Sequence, residues 1–534
     1  MRLNKLHNKK YTEYRDGYQL VLPFNFDVLI PEDDSVRLLS HILEGLNYTE
    51  LYQAYSSTGR KPAVEPKILF KVLTYVYMNN IYSSRNIEKA CRRDINFMWL
   101  LQGNPAPDHS TIARFRKSFV VDAVDGLFYQ MVVYLHQTGE VNFENLFIDG
   151  TKIEANANRY TFVWKKVVNK NEAKMFTKIQ ALLEKINETY NTNLLVSKDS
   201  LCCDLAGILT YLEEKRKVEN IEFVQGIGKR KTELQRYTEQ IREFSLRQAA
   251  YDKHNTLFNG RNSYSKTDTD ATFMHMKDDH MRNAQLKPAY NVQIGVEGEY
   301  ITGVNVFQDR NDLNTLIPFL KEMESRSTFR YKNIIADSGY ESEENYLYLE
   351  EHRQTCYIKP QTYEQSKKRS FKNDISKREN MTYDAEKDEY TCSNGKQLQP
   401  IGITHRTSAT GYRSEITLYE CEDCQDCLKK EKCTKAKGNR RMQVSKKFVE
   451  KRRVSYENIT SEKGILLRVN RSIQAEGAFG VLKNDYNFNR FLTRGRKNVK
   501  NEFMLLCIGY NVNKLHAKIQ NERIGKPLHQ LKTA

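Results

Sequence analysis

Two apolar runs that each end in an aspartate constrain this chain more than any other feature. Asn145-Leu-Phe-Ile-Asp149 leads into Gly150-Thr151-Lys152, and Asn333-Ile-Ile-Ala-Asp337 leads into Ser338-Gly339-Tyr340. Short apolar runs read as buried strands, and the acidic residue marks where each strand surfaces. A helix-like segment much later, Arg471-Ser-Ile-Gln-Ala-Glu476-Gly-Ala-Phe-Gly-Val-Leu-Lys483, offers a third carboxylate. Hard divalent cations take oxygen ligands, and a pair of them held about 4 Å apart clamps the attacking and leaving oxygens of a phosphoryl transfer. Asp149, Asp337 and Glu476 are therefore the expected catalytic and Mg²⁺-binding (or Mn²⁺-binding) residues, with DNA as the polymer acted upon.

The elements between them agree with one fold. Tyr290–Val296 and Tyr300–Phe307 alternate on a two-residue period across Glu297-Gly298-Glu299 and predict a hairpin. A helix bearing Leu313, Leu316, Ile317 and Leu320 follows, then the strand ending at Asp337, then a strand near Cys356–Pro360. Strand, insertion, hairpin, helix, strand, helix, strand is the order of a mixed α/β, ribonuclease-H-like core. In that fold the first and fourth strands are neighbours, so the two aspartates meet at one sheet edge.

The remainder divides by texture. Residues 1–125 read as an all-helical, helix-turn-helix-like DNA-binding unit, with amphipathic Pro66–Met78, then Ser84–Arg93, then a helix from Asp108 to Lys117 capped by Asp108 and Ser110. Arg114, Arg116 and Lys117 are its expected DNA contacts, the alternative being a solvated helix face. Residues 140–165, 266–362 and 465–520 form the expected catalytic core, 166–265 an inserted helical arm, and 363–464 a cysteine-rich insertion. Gly226-Ile-Gly-Lys229 lacks the full phosphate-loop spacing, so no nucleotide cofactor is expected.

Lys and Arg outnumber Asp and Glu by 84 to 67, a net charge of +17 that favours a polyanionic partner, although such an excess also serves solubility alone. No apolar run approaches the ~18 residues of a membrane span, and the basic N-terminus has no apolar stretch behind it, so a cytoplasmic, nucleoid-associated protein is expected. Cys421, Cys424, Cys427 and Cys433, with Cys392 upstream, have the spacing of thiolate ligands. Structural Zn²⁺ is preferred over an iron-sulfur cluster or free thiols, and soft thiolates separate it from the catalytic ions.

Taken in order, several segments carry a resemblance. They are Gly59-Arg-Lys-Pro62-Ala-Val-Glu-Pro66 running into Ser83–Glu88, Pro107–Arg116, Asp149–Asn156, Ala336–Glu341, the Cys421–Cys433 cluster and Glu476–Gly480. Over roughly residues 20 to 515 the chain resembles the DDE transposases of bacterial insertion sequences, in the group with an InsH-type N-terminal domain. The resemblance implies cut-and-paste transposition on double-stranded DNA with terminal inverted repeats, by a homodimer on paired ends. It places Asp149, Asp337 and Glu476 at the three acidic positions. Related transposases set a Tyr, an Arg and a Lys around the Glu on one helix. Lys483 fits, two helical turns after Glu476. Val469 and Ser472 hold the places of the Tyr and Arg, while Arg468 and Arg471 lie nearby but out of register. Lys483 and Arg471 are the expected phosphate contacts.

Other uses of these residues stay open at this point. Asp149-Gly150 suits a turn and Asp337-Ser-Gly a helix cap, and Glu462 and Glu502 compete with Glu476. A ribonuclease-H-like structure-specific nuclease and a non-catalytic DNA-binding protein are the alternative functions.

Overall fold

The computed structural model describes residues 26–55, 62–226, 228–276, 285–327 and 329–526. The basic N-terminus, Gly59 to Lys61 and Ile227 of the loop-like Gly-Lys segment lie outside the described residues.

Five strands carry the core: β1 (Asn145–Glu154), β2 (Leu286–Glu297), β3 (Tyr300–Phe307), β4 (Asn333–Ala336) and β5 (Thr355–Ile358). Their spatial order is β3-β2-β1-β4-β5, and the short strand Thr272–His275 completes the sheet by pairing with Leu286–Ala289 of β2. The β1–β2 and β2–β3 pairs are antiparallel, whereas β1–β4 and β4–β5 are parallel. The expected neighbours, first and fourth strands, are thus paired.

The hairpin turns through Gly298 and Glu299, both at positive φ. Its burial departs from the two-residue alternation, because every residue of β3 and all but Leu286 of β2 are buried. Helices account for this. Leu316–Arg326 packs so closely that a Cβ on Gly303 would lie 2.3 Å from the Met323 sulfur, and one on Gly295 would lie 3.3 Å from the Phe319 ring. Arg496–Gln520 lies along β3, where Asn511 accepts from the Ile301 amide at 2.9 Å and donates to its carbonyl at 2.8 Å. Those two bonds satisfy backbone groups at a sheet edge that would otherwise be left unpaired.

Helices form at Pro66–Met78 and Ser84–Arg93 as the periodicity predicts, with Pro66 in the first turn. Pro66–Met78 is buried on nearly all sides rather than on one stripe. It is pressed against Arg496–Gln520, with Gly509 so close to Met78 that an added Cβ would sit 3.1 Å from the Met78 amide nitrogen. One continuous hydrophobic core therefore joins the N-terminal helices to the sheet. The inserted arm, helices Lys165–Tyr190, Leu201–Val218 and Glu233–Phe258, has a core of its own, in which Met175, Ile179, Leu182 and Ile186 meet Leu205, Leu234 and Ile241. The cysteine-rich insertion is a five-stranded antiparallel sheet over a small core of Tyr390, Leu398, Tyr419, Met442 and Val444. Among the described residues no single helix is long and apolar enough to cross a membrane.

Candidate active site

Strand register brings the two aspartates together. Phe147 of β1 pairs with Ile335 of the parallel β4, and Asp149 and Asp337 each lie two residues further along. Asp149 remains within β1, opposite Ile294 of β2, whereas Asp337 stands just past the end of β4 and caps the short turn Ser338–Tyr340, accepting from the Gly339 amide at 2.7 Å. Cap and site are compatible uses of one carboxylate, since the cap bond fixes the orientation of the group.

A polar bed lies under this edge. Asp312 accepts from Asn291 and Gln293 at 2.8 Å each, and the buried Tyr340 hydroxyl donates to Gln293. A Cβ on residue 150 would come within 2.2 Å of the Gln293 amide nitrogen and 2.8 Å of an Asp312 oxygen, which is why glycine follows Asp149. The turn propensity of Asp-Gly is irrelevant there, because both residues are in a strand.

Glu476 comes from a helical run whose α-helical part Glu462–Arg471 passes into a π-turn, Ser472–Glu476, and after Gly477–Gly480 into a second, Val481–Asp485. A π-turn closes over five residues instead of four. Arg471 and Glu476, out of register for an α-helix, consequently face one another, with Arg471 Nη2 donating to Glu476 Oε1 at 2.9 Å and Ser472 Oγ donating to Oε2 at 3.0 Å. Arg471 Nη1 lies 3.5 Å from Asp149 Oδ1. The competing acids are used otherwise. Glu502 is buried and binds the Leu492 and Thr493 amides, and Glu462 is an exposed first-turn residue.

Asp149, Asp337 and Glu476 line one cleft of about 910 Å³ together with Lys152, Arg159, Asp312, Arg471 and Lys483. Asp312, Lys152, Arg159 and the buried Lys287 are lining groups that the sequence left without a role; none ends an apolar strand, and of the four only Lys152 lies in a motif segment, Asp149–Asn156. Lys287 and Arg159 both pair with Glu154, at 3.4 and 3.1 Å. Basic groups around an acidic floor suit a phosphodiester backbone held over oxygen-ligated cations. The donor set is oxygen only and so fits a hard divalent ion. As placed, no three acidic, histidine or cysteine side chains among the described residues form a group that could hold a metal ion.

Burial pushes the Asp149 carboxyl up to about 6, Arg471 opposing the shift and Asp337 and Glu476 adding to it. A raised carboxyl is a proton taken up on folding, so its favourable contribution is complete below the ordinary value of 3.8 and is lost as pH rises through about 6. Metal-free Asp149→Asn is expected to be more stable than wild type by about 2–3 kcal/mol at pH 8, with the gap closing below about pH 4. Denaturant melts in EDTA at the two pH values measure it.

In the N-terminal region Asp108 caps His109–Arg114 as predicted, accepting from the Ser110 and Thr111 amides, and the helix ends in a π-turn, Phe115–Phe119. Arg114 and Lys117 are exposed. Arg116 is only 7% exposed, donates to the Tyr82 carbonyl at 2.9 Å and lies over the Tyr77 ring. The π-turn rotates it inward, so Arg116 is a core residue and not a surface partner of Arg114 and Lys117.

The cysteine set is divided. Cys421 and Cys424 are buried beside Cys392, and burial with the neighbouring Cys424 pushes the Cys421 thiol up to about 12. Cys433 instead accepts from the Arg440 guanidinium at 2.8 Å, while Cys427 is half-buried. The expected ligand set of Cys421, Cys424, Cys427 and Cys433 is not assembled around one point.

Two family models match the chain. A "Transposase domain (DUF772)" covers residues 24–118, the N-terminal helices with Arg114 and Lys117. A "Transposase DDE domain" covers residues 391–516, which include Arg471, Glu476 and Lys483, while Asp149 and Asp337 fall between the two matches. No curated protein matches the chain. A transposase-domain match at each end, and a sheet between them that brings two aspartates to the cleft of the second's glutamate, together support an insertion-sequence DDE transposase.

Proposed function

We propose that this chain cuts the ends of an insertion sequence and joins them to new DNA by Mg²⁺-dependent (or Mn²⁺-dependent) cut-and-paste chemistry on a ribonuclease-H-like core. The observation that carries the proposal is the shared register of Asp149 and Asp337 on paired parallel strands, with Glu476 in the same cleft.

In this account Asp149, Asp337 and Glu476 hold the divalent ions, and the bed of Asp312, Gln293 and Tyr340 fixes the strand edge under them. Divalent ions held by these carboxylates would supply activation of a water or DNA 3′-hydroxyl and charge neutralisation at the leaving oxygen. The chain's remaining task is to place the phosphodiester, which falls to Lys483 and, across the cleft, to Lys152, Arg159 and Lys287. Arg114 and Lys117 contact the duplex of a terminal inverted repeat, and two copies pair two ends. No side-chain nucleophile is needed.

Excision from a plasmid of a marker flanked by the DNA that borders the gene tests the proposal. Precise loss of the marker with wild type is expected; intact plasmid alongside nicking elsewhere would favour a structure-specific nuclease. Lys483→Ala is expected to weaken binding to duplex DNA uniformly across sequences and to lower the slope of log K against log salt by about 1, read by anisotropy at several salt concentrations.

A further inference from the structure

The ion pairs of Arg471 and Arg452 differ in a way that bears on the cleft. Arg452 meets the buried Glu341 with two bonds, at 2.6 and 2.7 Å, and is a fixture of the fold. Arg471 makes one bond to Glu476, whose side chain is 53% exposed, and approaches Asp149 at 3.5 Å without a hydrogen bond. Its Nη1 is buried with no hydrogen-bond partner. A guanidinium stays charged at any working pH, and a buried donor left unpaired costs free energy, so this arrangement is satisfied electrostatically but not by hydrogen bonding.

We propose that Arg471 is an exchangeable counter-cation: it balances Asp149 and Glu476 in the metal-free protein, and it leaves them when divalent ions bind. The inference rests on the assignment of the three carboxylates to metal. Asp149, Asp337 and Glu476 share this cleft with Asp312 and Glu154, and without cations their repulsion would oppose folding. The π-turn from Ser472 to Glu476 supplies that cation from the same helix that supplies the glutamate, by closing Arg471 onto Glu476 over five residues. A residue so placed also sets the order of events. Metal entry must displace the guanidinium from two carboxylates, and the displaced group then stands in the cleft with Lys483, where a DNA phosphate is the next available anion.

The test is Mn²⁺ binding to the full-length protein, read as free Mn²⁺ by electron paramagnetic resonance, in wild type, Arg471→Gln, Arg471→Lys and Asp149→Asn. Arg471→Gln has no cation to displace and is expected to bind Mn²⁺ about tenfold more tightly than wild type, with Arg471→Lys in between and Asp149→Asn weakest. Melting supplies the second readout: in EDTA Arg471→Gln should melt below wild type, and saturating Mg²⁺ should raise its melting temperature more. Equal Mn²⁺ affinity in wild type and Arg471→Gln, with Asp149→Asn still weak, would overturn the exchange and leave the metal site standing. Absence of binding in every protein would overturn the metal assignment and the exchange with it.

Discussion

Asp149→Asn, Asp337→Asn and Glu476→Gln are each expected to reduce marker excision by about 10³-fold or more. Each replacement removes an anionic ligand while keeping side-chain size, and a divalent ion contributes several kcal/mol of charge stabilisation at a phosphoryl-transfer centre, each 1.4 kcal/mol being a factor of ten. Folding should survive all three. Asp149→Asn relieves a buried carboxylate, Asp337→Asn keeps an oxygen able to accept from the Gly339 amide, and Glu476 is half-exposed. DNA binding should survive as well, because the cationic groups of the cleft and of Arg114 and Lys117 are untouched. Loss of excision with intact DNA binding separates a catalytic role from a merely structural one, and residual excision in either Asp variant above a few per cent of wild type would remove that residue from the site.

Arg452→Ala is expected to cost about 3–5 kcal/mol of stability. The Glu341 carboxylate is completely buried and receives both bonds of the Arg452 fork, with the Tyr346 hydroxyl at 2.9 Å and the Gln361 amide at 2.8 Å as its other donors. Removing the guanidinium leaves a charge in the interior with two neutral donors, the situation in which breaking a buried pair is most expensive. The consequence reaches the cleft, because Glu341 follows the Asp337 turn and Arg452 belongs to helix Lys446–Thr460, which packs on β5. Urea denaturation of the purified variant measures the loss. Replacing both partners by apolar residues, Arg452→Met with Glu341→Leu, should recover most of it, and a single-variant loss below about 1 kcal/mol would contradict the account of the pair.

How far the sequence reveals this molecule depends on which forces act locally. β1 and β4 are visible because a strand buried on both faces must be apolar until it surfaces, and their aspartates are visible for the same reason. The cap at Asp108 and the helices at Pro66 and Ser84 follow from side-chain chemistry within a few residues. The three π-turns, at Phe115, Ser472 and Val481, have no such local signature, and each moves basic residues relative to α-helical spacing. They turn Arg116 inward and bring Arg471 onto Glu476, the two places where helical register misplaced a side chain. Asp312 and Lys287 join the cleft only through tertiary packing, Asp312 from the turn after β3 and Lys287 from within β2. The N-terminal helices also look like a free-standing bundle in sequence, since nothing local shows that Arg496–Gln520 returns to complete their core. The thiol pattern likewise gives spacing without partners, and Arg440, outside the pattern, takes Cys433.

The most direct test of the central claim is cleavage of an end-labelled duplex, made from the DNA bordering the gene, by the purified chain in Mg²⁺, in Mn²⁺ and in EDTA, with the chemistry of the new ends determined. Cleavage is expected only with a divalent ion, with 3′-hydroxyl ends that join to a second duplex, no protein covalently attached to DNA, and none of these products from Asp149→Asn. Cleavage in EDTA, or a covalent link between DNA and a tyrosine or serine of the chain, would contradict it.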